Sequence, residues 1–343
     1  MLNHSSRRIF AASLCCGAVC TTAQRGKQCA VCGSRISGRY WVYNHLDCCS
    51  PACVDALRPR CSACGKAVSP NYVKADGKTY CNSTCFETTL PPCKICKAPI
   101  RSGYHIGRHR YCEACVKNKP VCFSCGLPAA YSTRIEDGRE ICTGCMRWAV
   151  KTEDAAQQHY DRALRYLQAW TSLTIASVPK LKLIDRKEMK KLSKKIRTSD
   201  SSVSIRGLYS RQTQLYKRRL FGRWVTEQED TEEMIYIVDH LHDEVFRVAA
   251  VHELMHDLIH EHFPRLENAP LWVHEGICQQ AAAEYCRRRN YADILKGIEE
   301  CTDREYGEGY RYINKLTGFE GWRALRRWMD NVDLSSLPKH APR

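Results

Sequence analysis

The sequence predicts an α+β protein in which a tandem array of small zinc modules precedes a larger domain with its own metal site. Three observations support this: a cysteine repeat over residues 29–145, an H-E-x-x-H motif at residues 252–256, and strand-like segments ahead of that motif. The 343 residues, 44% of them hydrophobic, are enough for two or three domains with a sizeable core. We expect the array over residues 24–146, a helical linker over 147–179 and the larger domain over 180–343.

Residues 1–23 have the composition of an export signal. Arg7 and Arg8 precede an uncharged stretch that ends in small residues, as in secretory signal peptides. The order Ser-Arg-Arg-x-Phe is also similar to a twin-arginine signal. We therefore expect a signal peptide and export to the periplasm or the exterior. The alternative is a basic tail or transit peptide, with a cytoplasmic location as one outcome. No later run approaches the roughly 18 apolar residues of a membrane span.

Sixteen of the 23 cysteines form four similar units. Each contains C-x-x-C, then 15 or 16 residues, then C-x-x-C or C-x-x-x-C, and successive units begin 32, 32 and 29 residues apart. Two such knuckles complete a tetrahedral zinc site, so we predict about four structural zinc ions. Zinc would supply folding free energy that units this short cannot obtain from a core. The predicted ligands are Cys29, Cys32, Cys49 and Cys53; Cys61, Cys64, Cys81 and Cys85; Cys93, Cys96, Cys112 and Cys115; and Cys122, Cys125, Cys142 and Cys145.

Two alternatives to this assignment exist. His45 and Cys48 offer another ligand pair in the first unit, but Cys49 preserves the spacing of the repeat and is preferred. An exported chain with an even set of cysteines can instead form disulfides, although regular paired knuckles favour zinc. Glycine follows three of the first knuckles, which suits a turn that requires a positive φ.

The H-E-x-x-H motif lies in an apolar stretch that predicts a helix ended by Pro264. Residues four apart share one helix face, so His252 and His256 would present two imidazoles to one metal ion. Glu253 is turned toward the same space and can reach a metal-bound water. Such a short motif also occurs by chance on solvated helices, but the apolar context and a downstream acidic residue favour a metal site.

The third ligand is expected on a second helix that follows the motif. Glu275 comes 19 residues after the second histidine, and its neighbour His274 is the weaker alternative. Cys278, Cys286 and Cys301 are interpreted as small buried residues rather than as ligands or nucleophiles.

Two other histidines are excluded as third ligands. His262 stands where an extended H-E-x-x-H-x-x-G-x-x-H motif would place one, but that motif needs glycine where this chain has Ile259. His260 is excluded because three ligands along a straight helix would span about 12 Å.

Over residues 245–290 the chain resembles the plant LIM-domain peptidases that limit organ growth, which are ubiquitin-regulated zinc peptidases of the gluzincin type. The resemblance rests on H-E-L-M-H at residues 252–256 and V-H-E-G-I-C-Q at residues 273–279, and it covers residues 200–320 more loosely. The chain departs from the family at His274, where a second glutamate is expected, and it has no convincing ubiquitin-interacting helix. The plant regulation is therefore not carried over.

The resemblance implies a zinc-dependent endopeptidase that hydrolyses protein substrates. It implies that His252, His256 and Glu275 hold one catalytic zinc ion and that Glu253 is the general base. The cysteine units likewise resemble LIM domains, which are paired treble-clef-like zinc modules. They depart from these because six or seven residues separate successive units, where a LIM pair usually has two, and because histidine ligands are absent. We expect the array to bind a protein partner or substrate, the alternative being a spacer.

Strand-like segments precede the motif, which is the order expected of a zincin domain. In that fold an edge strand near the helix pairs with an extended peptide, and the resemblance implies this role for residues 234–238. Peptide hydrolysis also requires a donor to the tetrahedral oxyanion. Tyr306 and Tyr310 lie in a Y-G-x-G-Y run that is similar to the plant family, and they are the candidates. A packing role for either tyrosine is the alternative.

The charge balance disfavours one class of partner. The formal net charge is +16, but sixteen thiolates against four divalent ions would remove roughly 8 positive charges. Zinc knuckles with a basic surface can bind nucleic acid, yet these units lack the aromatic pairs and finger helices that such binding requires. A nucleic-acid-binding protein is therefore the third hypothesis, after the peptidase and a catalytically silent adaptor.

Overall fold

The computed structural model describes residues 26–195, 206–220, 223–318 and 321–342, and the backbone of two stretches nearer the start of the chain; it excludes the side chains of residues 195 and 213–231. The predicted signal segment, residues 1–23, lies largely outside the described residues. Its two described stretches are β1 (Phe10–Ser13) and β2 (Val19–Thr22). The protein is a mixture of helices and strands, and it divides into two compact units, Leu2–Asn118 and Lys119–Arg343.

The first unit contains three cysteine modules of one design, a β-hairpin followed by a short helix. Strand β2 pairs with the first hairpin and β1 with the second, both antiparallel. In each first knuckle the residue after the second cysteine has a positive φ, as at Gly33 (72°) and Gly65 (74°). The elements are β3 (Arg39–Tyr43), β4 (Leu46–Cys48) and α1 (Pro51–Leu57); β5 (Asn71–Ala75), β6 (Lys78–Tyr80) and α2 (Ser83–Glu87); and β7 (Gly103–Ile106), β8 (His109–Cys112) and α3 (Glu113–Asn118).

The second unit begins with the fourth cysteine module and continues into a sheet covered by helices. The module has the hairpin-and-helix design of the first three. The elements are β9 (Ser132–Arg134), β10 (Glu140–Cys142), α4 (Thr143–Arg147), β11 (Ala149–Val150), α5 (Glu153–Thr171), β12 (Lys180–Ile184), α6 (Arg186–Lys195), β13 (Gly207–Leu220), β14 (Arg223–Val238), β15 (Leu241–His242), α7 (Asp243–His262), α8 (Leu271–Arg289), α9 (Ala292–Glu299), α10 (Gly309–Thr317) and α11 (Trp322–Asn331).

The fourth module therefore groups with residues 119–343, whereas the sequence grouped it with the other three. Hydrogen bonds from the module to the later chain explain the difference. The Arg139 Nη1 donates to the Asp239 carbonyl at 2.6 Å, and the His242 N–H donates to Ser124 Oγ at 2.8 Å. Strand β11, just after the module, also pairs antiparallel with β15.

The residues expected to form a linker are part of the second unit's core. Helix α5 begins at an N-cap in which Thr152 Oγ1 accepts the N–H of Ala155, and it ends at Ser172 with a left-handed φ of 56°. Tyr160 and Leu167 of this helix are at most 1% exposed and pack with apolar residues of α7 and α8. Burial of these apolar side chains makes α5 a structural helix rather than a free connection.

In the sheet of the second unit, residues 234–238 lie in the central strand and not at the edge where they were expected. The strand order of this sheet is β12-β14-β13, with β12 parallel and β13 antiparallel to β14. Residues 234–238, expected to form a substrate-binding edge, pair with Lys180–Ile184 on one side and with the start of β13 on the other. Ile235 and Ile237 point to the same face of the strand and are fully buried in the apolar core that contains the helices. Among the described strands, β13 pairs on one side only, so its other side is the open edge beside the motif helix.

None of the helices in the described part of the chain is long and apolar enough to cross a membrane.

Candidate functional site

Helix α7 carries the H-E-x-x-H motif through the core of the second unit. Asp243 and Glu244 occupy its first turn, where acidic side chains favour the helix dipole. The helix turn brings the rings of His252 and His256 to a centroid separation of 5.1 Å, on the side that faces α8. His252 is 8% exposed, so at least one imidazole is removed from bulk water. The structure thus places both predicted histidines together.

Glu275 of α8 completes a compact donor set with these histidines. One oxygen, Oε2, lies 3.0 Å from Nε2 of His252 and 3.6 Å from Nε2 of His256. Ligands at about 2.1 Å from a tetrahedral zinc ion are about 3.4 Å apart, which these two distances bracket. Burial acts to raise the pKa of Glu275, but the charge of His256 and the bond to His252 hold that pKa well below its usual range. Glu275 is therefore a ready anionic ligand.

Cys278, which the sequence predicted to be a small buried residue and not a ligand, is buried but also lies at this site. Its Sγ and one nitrogen of each histidine lie within 4.8 Å of one another, a grouping that can hold a metal ion. The available signal was spacing, because residues 275 and 278 are three apart and share a helix face. Burial raises the pKa of Cys278 well above its ordinary value, and the charges of Glu275 and Glu253 add to that rise. Without a bound metal ion, the thiol of Cys278 is therefore protonated, whereas Glu275 is anionic.

The remaining histidines face other groups. His274 has its ring 6.4 Å from that of His260, and burial lowers its pKa to about 4. His262 Nε2 bonds the Thr174 carbonyl at 2.7 Å. Of the third ligands weighed from the sequence, Glu275 is the one that contacts both motif histidines.

Glu253 lies against the first residue of strand β13. A Cβ built on Gly207 would stand 2.5 Å from Glu253 Oε1 and 2.7 Å from its Cγ, so a larger residue here would have to displace the Glu253 side chain. Burial raises the pKa of Glu253 to about 8, although the charge of His256 and a bond from the Tyr209 backbone act in the opposite direction. A carboxylate with a raised pKa is a suitable general base near neutral pH.

The two candidate tyrosines have different surroundings. The ring of Tyr306 stacks on that of His252 at 5.9 Å, within a π-helical turn, Arg304–Glu308. Burial raises the pKa of Tyr306, and the charges of Glu275 and Glu253 and a hydrogen bond to Glu275 raise it further, so its hydroxyl stays protonated. Tyr310, the second candidate, is instead a packing residue. Its hydroxyl accepts a hydrogen bond from Arg287 at 2.7 Å, three helical turns beyond Glu275.

Tyr209 of β13 supports the second motif histidine. Its ring stacks on His256 at 6.4 Å with an interplanar angle of 8°. Its hydroxyl lies 3.0 Å from Glu233 Oε1 and 3.2 Å from Asp257 Oδ1. A single hydroxyl proton cannot bond both acceptors at once, and burial raises the pKa of Asp257 to about 7. This network fixes the strand against the helix one residue from the motif.

The four cysteine sets each form a cluster that can hold a metal ion, with all sulfur atoms of a set within 4.8 Å of one another. Neighbouring Sγ atoms lie 3.5 Å apart for Cys32 and Cys49 and 3.6 Å apart for Cys64 and Cys81. Thiolates at about 2.3 Å from one zinc ion are about 3.8 Å apart, whereas a disulfide joins sulfurs at about 2.05 Å. The described cysteines are all free thiols. Cys49 belongs to the first cluster, and Cys48 is buried in that module's core.

Substitution of the two candidates on α8 tests which is the third ligand. We expect Glu275→Gln to lose about one zinc ion per chain under a competing chelator, because a neutral amide replaces the carboxylate nearest both histidines. Cys278→Ser should retain that ion. Elemental analysis measures the zinc content of each variant. Loss of the ion in Cys278→Ser and its retention in Glu275→Gln would make Cys278 the ligand.

No protein-family model, curated protein or solved structure matches this chain. Its function therefore rests on the residues of the site. These are two histidines that form a possible metal-binding group with Cys278 and contact the carboxylate of Glu275, a buried acid with a raised pKa that lies against strand β13, and a protonated tyrosine.

Proposed function

We propose that the protein is a zinc-dependent endopeptidase whose second unit is a zincin-like catalytic domain. The observation that carries this proposal is the position of Glu253, buried beside His252, His256 and Glu275 and in contact with the start of an open-edged strand. The resemblance of residues 245–290 to plant LIM-domain peptidases points to the same activity.

His252, His256 and Glu275 are the residues that would hold the zinc ion, which when bound polarises a carbonyl and lowers the pKa of water to about 7. Glu253, whose pKa burial raises to about 8, would accept a proton from the attacking water in its ionised form, which the positive charge of a bound zinc ion would favour. The same carboxyl then delivers that proton to the amine nitrogen of the leaving peptide. Tyr306 keeps its hydroxyl proton and can donate it in a hydrogen bond to the oxygen that develops negative charge.

The open edge of β13 suits an extended polypeptide. Among the described strands only β14 pairs with β13, which leaves the other side of β13 unpaired, and the first residue of β13 lies beside Glu253. A peptide added to this edge would be held by backbone hydrogen bonds, largely independently of its sequence. We therefore propose unfolded or extended segments of protein as the substrate class. The first unit, with three metal-binding modules, would bind the protein partner or substrate.

Zinc-dependent cleavage tests the proposal directly. The zinc-loaded full chain should cleave a denatured protein substrate, lose the activity when a chelator strips the metal, and regain it when zinc is restored. His256→Ala, which removes one ligand, should remain inactive throughout. Full zinc content, including that of the H-E-x-x-H site, without cleavage of any unfolded substrate would instead favour the silent adaptor.

Tyr306→Phe tests the oxyanion donor. We expect kcat to fall by about 10²–10³-fold, the usual cost of losing one such donor, because the ring still packs on His252 while the hydroxyl is gone. KM should change little, since the bond forms mainly in the transition state. Tyr310→Phe is the matched control and should keep kcat, although it loses the bond from Arg287. Equal losses in both variants would assign the effect to packing.

A further inference from the structure

The first knuckle of the fourth module differs from the other three in its surroundings. In the first and second modules, both residues between the paired cysteines are exposed, namely Ala30 and Val31, and Ser62 and Ala63. In the third module one of the two is exposed. In the fourth, Phe123 is partly buried and Ser124 is 1% exposed. This knuckle is covered by the catalytic part of the second unit.

The buried knuckle contacts the start of the catalytic helix. Ser124 Oγ accepts the His242 N–H at 2.8 Å, and His242 is the N-cap of α7. The Phe123 ring lies 4.9 Å from the Arg139 guanidinium, which donates to the Asp239 carbonyl at 2.6 Å. Arg139 is 2% exposed, so these bonds form away from solvent. The knuckle therefore fixes the turn that leads into the H-E-x-x-H helix.

The same knuckle contacts the start of the catalytic strand. Arg206 Nη2 donates to the Phe123 carbonyl at 3.4 Å, and the Arg206 carbonyl accepts the Val238 N–H at 2.9 Å. The Arg206 Nε is buried without a hydrogen-bond partner. Arg206 directly precedes Gly207, the residue that touches Glu253. The position of this arginine thus determines where the strand meets the general base.

The cysteines of the fourth module lie within electrostatic reach of Arg206. Burial lowers the pKa of the Arg206 guanidinium, and charges on Cys125, Cys122 and Cys145 act in the opposite direction. Four thiolates around a divalent ion leave a net charge of about −2. A metal-loaded module therefore offers the buried cation a fixed counter-charge, which a reduced and metal-free knuckle would not hold in place.

We propose that the metal ion of the fourth module positions the catalytic site, by locking the Cys122–Cys125 knuckle that holds Arg206 and the N-terminus of α7. Arg206 is a positioning residue that acts through Gly207 on Glu253. The effect on catalysis rests on the proposed peptidase function, whereas the structural coupling does not.

The test compares hydrogen exchange in the zinc-loaded full chain and its variants. Cys125→Ser should lower the zinc content by one ion and speed exchange at least tenfold in residues 206–212 and 239–246. Cys64→Ser, at the equivalent position of the second module, should lose one ion without changing exchange in those segments. Unchanged exchange in Cys125→Ser, with its zinc ion lost, would overturn the proposal.

Arg206 variants keep the proposal testable if Cys125→Ser fails to fold. Arg206→Met should speed exchange in residues 206–212 and lower kcat by about ten- to hundredfold with KM retained, because a misplaced catalytic group slows the chemical step. Arg206→Lys keeps the charge and should restore most of the protection from exchange and most of kcat. If hydrogen exchange in residues 206–212 of Arg206→Met is as slow as in wild type, the proposal is overturned. An inactive wild type would refute the peptidase function alone, because the exchange result is read independently.

Discussion

Replacing Glu253 by glutamine is expected to lower the rate of peptide hydrolysis by about 10²–10⁴-fold, the usual contribution of a general acid–base residue. Glutamine has nearly the same shape but cannot accept the proton of the attacking water. Burial raises the pKa of Glu253 to about 8, so a neutral amide is tolerated at this position and the fold should be kept. Initial rates on a denatured protein substrate, with zinc content measured on the same samples, provide the check.

The control for this substitution lies on the same helix. Glu261→Gln changes an exposed residue two turns further along α7, where the amide oxygen can still accept the bond that Ala176 N–H now donates at 3.0 Å. It should leave the rate within twofold. A Glu253→Gln enzyme with a full rate would remove Glu253 as the base, and a lowered zinc content in that variant would point to damage at the metal site.

Removing zinc from the reduced protein is expected to unfold the three modules of residues 26–118. Structural zinc binding contributes about 10–16 kcal/mol in small zinc-finger peptides, and these modules have little else to hold them. The buried cluster of the third module consists of Cys93, Ile100 and Cys115, too few apolar side chains to offset chain entropy. Limited proteolysis mapped by mass spectrometry should show cleavage across residues 26–118 after chelation.

Two additions make that experiment specific. Returning zinc should restore protection, whereas magnesium, which prefers oxygen ligands, should not. Helices α5 and α8, and α7 beyond residue 246, should keep most of their protection without metal, because Tyr160, Leu254 and Ile277 belong to a large apolar core. Persistent protection of residues 26–118 in reduced, zinc-free protein would show that the modules fold without metal.

The sequence was most informative where spacing alone determines geometry. Four cysteine sets were predictable because a C-x-x-C turn places both thiols on one side whatever surrounds it, and each predicted set forms one cluster. The two motif histidines were predictable for the same reason, since helix periodicity brings residues 252 and 256 together. Local backbone geometry needs no knowledge of distant contacts.

Contacts between distant segments were not predictable. Nothing near Gly207 shows that its missing side chain makes room for Glu253, because the two are far apart in sequence. Tyr306 and Tyr310 lie four residues apart in one aromatic run, and only packing sends one toward His252 and the other toward Arg287. The burial of Phe123 and Ser124 likewise depends on residues about a hundred positions later.

The division of the chain at Asn118 and Lys119 bears on how such a protein can change through gene rearrangement. Repeats ahead of residue 119 can be duplicated, exchanged or deleted without touching the bonds that Arg139 and Ser124 make to the later chain. The fourth repeat cannot be exchanged or deleted in this way, because its hydrogen bonds join it to the rest of the second unit. A shortened gene should therefore start its product at Lys119 rather than at the end of the cysteine repeat.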